Sequence, residues 1–237
     1  MFVPTNHPSV ADKNWRFDKD IAPVFDVHVR QSVPGYVRMQ QSVVRLTDFF
    51  CSENSIVVDL GCSTGETLSL IQNRHPDRRL HLIGIDESPD MIQQAIKKTA
   101  GNPAFVFKPV QLETYDFPSN VGFITSILTM QFVEKRHRRK VVEDIYESLE
   151  EGGAFVFIEK TYAKSGQIQD IFNQLYHDFK EEQGIEALDI RKKDKSLRGV
   201  MFPNTSEENE AMLQSAGFSE VEMFFKDLHF CGWIAIK

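Results

Sequence analysis

Cysteine is scarce in this 237-residue chain: Cys51, Cys62 and Cys231 are odd in number and far apart. Neither a disulfide framework nor a CxxC metal site fits that pattern, and three free thiols are expected. The seven histidines show no HxxxH, HxH or His-Cys spacing, so no protein-built metal site is expected either. No apolar run approaches the roughly 18 residues needed to cross a bilayer. The opening MFVPTNHPSVADKNW lacks the basic-then-apolar order of a secretory signal, and a soluble, cytoplasmic protein is the expectation. Repeats, low-complexity tracts and linkers are missing too. Positive charge is in short supply: the formal net charge of -7 repels polyanions in bulk, so nucleic-acid binding would need a local basic patch.

Two such runs exist, KRHRRK at 135–140 and RKKDK at 191–195. The first lies in a helical pattern whose apolar stripe is Val141, Val142, Ile145 and Leu149, which makes the charges a solvated face. With 41% hydrophobic residues the chain can bury a substantial core, and one domain is expected over 1–237.

From residue 55 onward, short β-branched runs alternate with amphipathic stretches: SIVVDLG, a helix over 65–74, LHLIGID, the helix SPDMIQQAIKKTA, AFVFKPV, GFITSILTM, a helix over 134–150, then AFVFIEK. Alternation of this kind builds right-handed βαβ units and a doubly wound, mostly parallel sheet covered on both faces. Ser88-Pro89 reads as an N-cap with proline in the first helical position, and Gly152-Gly153 as a helix stop. VEMFFKDLHF and GWIAIK, separated by Cys231 and its neighbours, suit an antiparallel hairpin at one sheet edge. Helical segments over 1–54 and 164–200 fall outside the alternation and are expected to cover the carboxyl ends of the strands.

The run IVVDLGCSTG at 56–65 ends a buried strand in a loose glycine turn. Asp59 closes the strand, Gly61 and Gly65 let the backbone approach a ligand, and Asp86 closes the next strand about 20 residues on, where acids accept hydrogen bonds from ribose hydroxyls. A ribose-containing cofactor is implied. Ser63 stands where a dinucleotide fingerprint carries a glycine, so a pyrophosphate is not. Joined to the SPDMI helix and the terminal hairpin, these residues resemble the class I S-adenosyl-L-methionine (SAM) dependent methyltransferases, an α/β fold with a seven-stranded Rossmann-like sheet.

The resemblance narrows through QSVPGY at 31–36, DLGCS at 59–63, IDESPDMI at 85–92, LTMQF at 128–132, GGAFVFIEK at 152–160 and YHDFK at 176–180. These look like the CmoA family, taken here as the bacterial tRNA wobble-uridine carboxymethyltransferases, and the likeness runs from about Trp15 to Lys237. It implies a homodimer and a SAM-type cofactor touched by Tyr36, the Gly61–Cys62–Ser63 turn, Asp86 and its neighbour Glu87. Departures accompany the likeness. The family's Gly-Asp pair near the adenine is Gln111-Leu112 here, and its asparagine beyond the fourth strand is Ile127. The family holds SAM bearing an extra carboxylate, gripped by an arginine; in ungapped register that position is Asp194. At about 4 Å and an effective dielectric near 20, exchanging attraction for repulsion involves roughly 4 kcal/mol per pair.

An acid facing the cofactor suggests another chemistry, in which Asp194, with Tyr176, takes a proton from an attacking amine. If that amine is SAM's own α-amino group, displacement at the γ carbon closes a four-membered ring, giving azetidine-2-carboxylate and methylthioadenosine. Phe132, Tyr176 and Phe179 are candidates to face the sulfonium, although Phe172, Tyr176 and Phe179 also read as a plain core stripe. The expected ligand is a small molecule, or SAM alone. Carboxymethyl or methyl transfer to tRNA, ordinary small-molecule methylation and non-catalytic SAM binding stand as alternatives.

Overall fold

The computed structural model describes residues 16–237; the first fifteen residues of the expected N-terminal cover lie outside them. Its centre is a sheet in the order β3-β2-β1-β4-β5-β8-β7. The parallel part is β1 (Ile56–Leu60), β2 (His81–Asp86), β3 (Phe105–Pro109), β4 (Val121–Ile127) and β5 (Leu149–Tyr162). A two-residue strand, β6 (Asn204–Thr205), pairs with the end of β5 outside that path. β7 (Glu220–Asp227) and β8 (Phe230–Ile236) form the antiparallel hairpin, with β8 inserted between β5 and β7. The chain turns at Leu228-His229, earlier than the sequence pattern implied, and Cys231 lies within β8, paired with Glu159 and Lys226.

Local chemistry accounts for most boundaries. The Ser88 hydroxyl accepts the Met91 N–H at 3.2 Å and Pro89 opens α4 (Pro89–Lys98), the N-cap arrangement read from the sequence. α5 (Lys135–Ser148) buries Val141, Val142 and Ile145 on the sheet. It stops at Ser148, before Gly152-Gly153; those glycines lie inside β5, where the pairing with β4 shifts register, Gly152 supplying a φ of +79° and Gly153 a close backbone approach, instead of ending the helix. The layers are closed by α1 (Phe25–Ser32), α2 (Tyr36–Phe50) and α3 (Glu66–Arg74), and later by α6 (Gly166–Glu182), α7 (Ala187–Ser196) and α8 (Ser206–Ser215). Among the described residues no helix is long and apolar enough to cross a membrane.

Two clusters of buried side chains flank the sheet, one including Ile124, Val142, Phe155 and Trp233, the other Val43, Leu68, Phe123 and Val156. They fix the strands whose carboxyl ends carry the site, while α1, α6 and α7 stand over those ends.

Candidate active site

A cavity of about 460 Å3 opens over the carboxyl ends of β1, β2, β4 and β5. That volume lies toward the lower part of the ~300–1,000 Å3 usual for small-molecule sites, room for one nucleoside-sized ligand. Its floor is the turn after β1. Gly61 has φ +70°, and a Cβ there would lie 2.2 Å from the Thr129 Oγ1, so only glycine fits. Ser63 takes a left-handed φ of 52° without being glycine, and its N–H donates to Asp86 Oδ2 at 3.0 Å. Asp86 Oδ1 accepts the Ser88 N–H at 2.9 Å, so the acid pins the β1 turn to the start of α4 while facing the cavity. Burial raises its carboxyl to about 6 against those two donors.

Beyond β4 the chain is held by Glu159, which receives N–H donations from Thr129 and Met130 at one oxygen (3.0 and 2.9 Å) and from Gln131 at the other (2.8 Å). Burial pushes this carboxyl up to about 8, while the donors and Arg138 pull it back. The Thr129 hydroxyl in turn donates to the Leu60 carbonyl at 2.9 Å, tying this loop to the glycine turn.

The two ends of the cavity differ in charge. At one end stand Asp26, Asp59, Glu66, Asp86, Glu87 and Glu113. Asp59 is only 3% exposed and accepts no hydrogen bond from any described residue, and burial followed by the Asp86 charge holds its carboxyl well above the ordinary range. Tyr36 sits beside it, its phenol pushed up by burial and then by Asp59. At the other end converge Lys160 from β5, Tyr176, His177 and Lys180 from α6, and Lys193 and Asp194 from α7. Burial lowers Lys180 to about 8; burial and then Lys180 lower Lys193 to about 7.

Of the expected site residues, Tyr36, Asp59, Gly61, Cys62, Ser63, Asp86, Glu87, Leu112, Ile127, Phe132, Tyr176 and Asp194 all line this one cavity. Gly65 and Gln111 do not. Gly65 caps α3 with φ +73°, and a Cβ there would meet Phe107 Cζ at 3.0 Å, so helix–sheet packing itself requires a glycine. Gln111 is exposed and precedes a short 3-10 turn, its carbonyl accepting the Thr114 hydroxyl at 3.2 Å.

Asp194 is where the resemblance put it, but in different company from that expected. Its carboxylate lies 3.0 Å from His177 Nε2 and 3.9 Å from Lys180 Nζ, and its side chain is 43% exposed. Solvent and the Lys180 ammonium therefore blunt the repulsion worked out for a bare charge reversal. Burial keeps the Tyr176 phenol protonated, and Lys180 Nζ and Lys160 Nζ already stand 3.9 and 4.7 Å from its ring centroid, on faces that would otherwise meet a sulfonium. Phe132 lines the cavity with Phe17 edge-on at 5.5 Å, whereas Phe179 does not line it. Sequence reasoning missed Lys160 and Lys180. The available signals were a lysine at the end of a buried strand and another four residues beyond Tyr176 on one helix face.

The basic run on α5 is paired with acids at four of its six positions: Lys135 with Glu208, Arg136 with Glu134, Arg139 with Glu143 and Lys140 with Asp144. Arg138 turns inward and donates to the Val133 carbonyl at 2.8 Å.

The sheet order, the β1 turn and the acid after β2 together define a class I SAM-dependent methyltransferase fold. A family model described as a methyltransferase domain matches residues 57–153. Among solved structures, a putative O-methyltransferase from Nostoc punctiforme superposes with a TM-score of 0.67 at 13% identity, covering 92% of this chain and 60% of that one. Human N-acetylserotonin methyltransferase in complex with SAM gives 0.62 at 14% identity, covering 92% and 55%. The sequence relatives are more specific: the carboxy-S-adenosyl-L-methionine synthase of Staphylococcus epidermidis is 38% identical over 225 residues, 94% of this chain and 97% of that one. The enzyme of the same name from Methylococcus capsulatus is 35% identical over 226 residues, 93% of each chain. The chain belongs to the carboxy-S-adenosyl-L-methionine synthase (CmoA) family. That name describes making a carboxylated SAM, and not, as taken from the resemblance, passing a carboxymethyl group to RNA.

Proposed function

We propose that this chain takes SAM as its sole substrate and closes it to azetidine-2-carboxylate, releasing methylthioadenosine. The observation that carries the reading is Asp194: it stands where the family resemblance calls for a carboxylate-gripping arginine, and among the described residues no arginine lines the cavity. A volume suited to one nucleoside-sized ligand points the same way. The residues fit SAM: the Gly61 turn leaves no room for a side chain, Asp86 faces the ribose position, and the acidic end suits a sulfonium and an ammonium.

The base is Asp59. An amine attacks only as its free base, so an ammonium must first lose a proton. A buried carboxylate without hydrogen-bond donors is far more basic than one in water, which matches it to that task. The α-ammonium gives its proton to Asp59. The nitrogen lone pair then forms a bond to the γ carbon as the carbon–sulfur bond breaks, and that electron pair cancels the sulfonium charge. Positioning alone supplies as much as roughly 7–11 kcal/mol for a well-aligned displacement. In this account Asp194 disfavours a carboxylated cofactor and ties down His177 and Lys180.

Incubation of the purified protein with SAM alone, followed by mass spectrometry, tests the reading. Methylthioadenosine and azetidine-2-carboxylate in equal amounts are expected; unchanged SAM refutes it. A second reading, synthesis of carboxy-SAM as in the named relatives, is favoured by the lysines Lys160, Lys180 and Lys193, which would receive an anionic co-substrate. It requires consumption of SAM only when a carboxylate donor is added.

A further inference from the structure

The segment from Phe17 through α1 contributes Phe17, Phe25, Asp26, His28, Val29 and Ser32 to the cavity wall, so it covers whatever the cavity holds. Ile21, Ala22 and Val29 pack it into the core, and a set of polar contacts ties its rim to the rest of the fold. On one side Lys98, in the last turn of α4, places Nζ 2.6 Å from Asp26 Oδ2, 2.7 Å from Glu66 Oε2 and 3.0 Å from the Thr64 hydroxyl. Thr64 itself donates to Asp26 Oδ1 at 2.6 Å, and Arg30 reaches Glu66 at 3.2 Å. On the other side His28 Nε2 lies 2.5 Å from Lys193 Nζ on α7. At its carboxyl end the cover joins α2 through Val33-Pro34-Gly35, where Gly35 has φ +70° and caps α2 without a side-chain hydrogen bond.

The geometry points to α1 as a latched lid, hinged at residues 33–35, with Lys98 as the latch that sets how fast an adenosyl ligand exchanges with solvent. Lys98 suits the part because it lies outside the cavity wall and yet joins the lid (Asp26) to the start of α3 (Glu66) and the β1 turn (Thr64). A cation bridging two carboxylates at 27% side-chain exposure remains open to ions from solution, so the latch is sensitive to salt. The inference rests on the cavity binding an adenosyl ligand, but not on which reaction follows.

The test compares the wild type with Lys98→Met, which keeps the packing of the stem and removes the charge, and with Lys98→Arg, which keeps the charge. Dissociation of S-adenosylhomocysteine, an unreactive thioether, is followed by stopped flow, and hydrogen exchange is measured on the ligand-free proteins. Lys98→Met is expected to release the ligand about five- to twentyfold faster, from the loss of about 1–2 kcal/mol in a partly buried cation–carboxylate cluster. Exchange should speed up in residues 25–33 and not in β1 or β4, and Lys98→Arg should restore most of both. Wild-type release should quicken between about 50 and about 500 mM salt, and that dependence should largely vanish in Lys98→Met. Lys140→Met, which breaks an ion pair on α5 away from the cavity, should change nothing. Release within twofold of wild type together with unaltered exchange over 25–33 would overturn the latch. If S-adenosylhomocysteine does not bind at all, the adenosyl reading fails, and the exchange measurements still decide whether Lys98 holds the lid.

Discussion

Replacing Asp59 by Asn should abolish turnover and at the same time make the protein more stable. The side chain is 3% exposed, receives no hydrogen bond from a described residue, and faces the charge of Asp86. Its carboxyl is held above its unfolded value, so folding favours the protonated form. The stability it contributes is complete below the unfolded pKa and is lost as pH rises through the folded pKa. Above the unfolded pKa the native state therefore bears the cost either of a buried charge or of holding a proton that the unfolded chain would release, and the neutral amide removes it. An unsatisfied buried polar group costs about 1–3 kcal/mol, more when charged, and for a chain of this size 1 kcal/mol moves Tm by about 2–4 °C. Asp59→Asn should thus melt about 2–10 °C higher at neutral pH, with the gain fading as the buffer is made acidic. Turnover should fall at least about 100-fold, the usual contribution of a positioned base, while SAM affinity stays within a fewfold of wild type. In the wild type, kcat should rise with pH as Asp59 ionises. Differential scanning calorimetry, ligand titration and product assay read the three effects separately. A variant that turns over SAM normally, or that melts lower than wild type at neutral pH, would refute the assignment.

Gly61→Ala should lower stability by about 2–4 kcal/mol through overlap with Thr129 and the positive φ, and Gly61→Ala combined with Thr129→Ala should recover part of that loss on denaturant titration. Glu159→Gln replaces one of two acceptor oxygens with a donor, so the loop that begins at Thr129 loses a partner; a cost of about 1–3 kcal/mol and weaker ligand binding are expected by calorimetry. Asp194→Arg places a guanidinium at position 194 and should improve binding of carboxy-SAM relative to SAM by about tenfold or more in competition titrations; an unchanged ratio would show that residue 194 does not set cofactor choice.

What could be read from the sequence was whatever is encoded locally. The β-branched runs, the Ser88 cap and the Gly61 turn each follow from a few neighbouring residues, and all appear in the fold. The terminal hairpin was visible as two apolar runs, but its turn was displaced because Leu228-His229 carries no glycine, asparagine or proline to mark it. The packing role of Gly65 was hidden because a glycine needed for helix packing and one needed for ligand approach look alike until Phe107, some forty positions on, is brought against it. Lys160 and Lys180, at the lysine end of the cavity, were hidden for the same reason. Lys160, Lys180 and Lys193 sit on three different elements, and only the packing of α6 and α7 over β5 gathers them. The company of Asp194 follows from that gathering, which is why a charge reversal read from the sequence register alone overstated the repulsion.

The central claim is that one SAM molecule supplies both the amine and the carbon it attacks. The most direct measurement is a time course with SAM labelled by nitrogen-15 at the α-amino group and no other substrate. The account predicts that each methylthioadenosine released is matched by one azetidine-2-carboxylate carrying the label in its ring. Label remaining in SAM, or appearing in carboxy-SAM once a carboxylate donor is added, would contradict it.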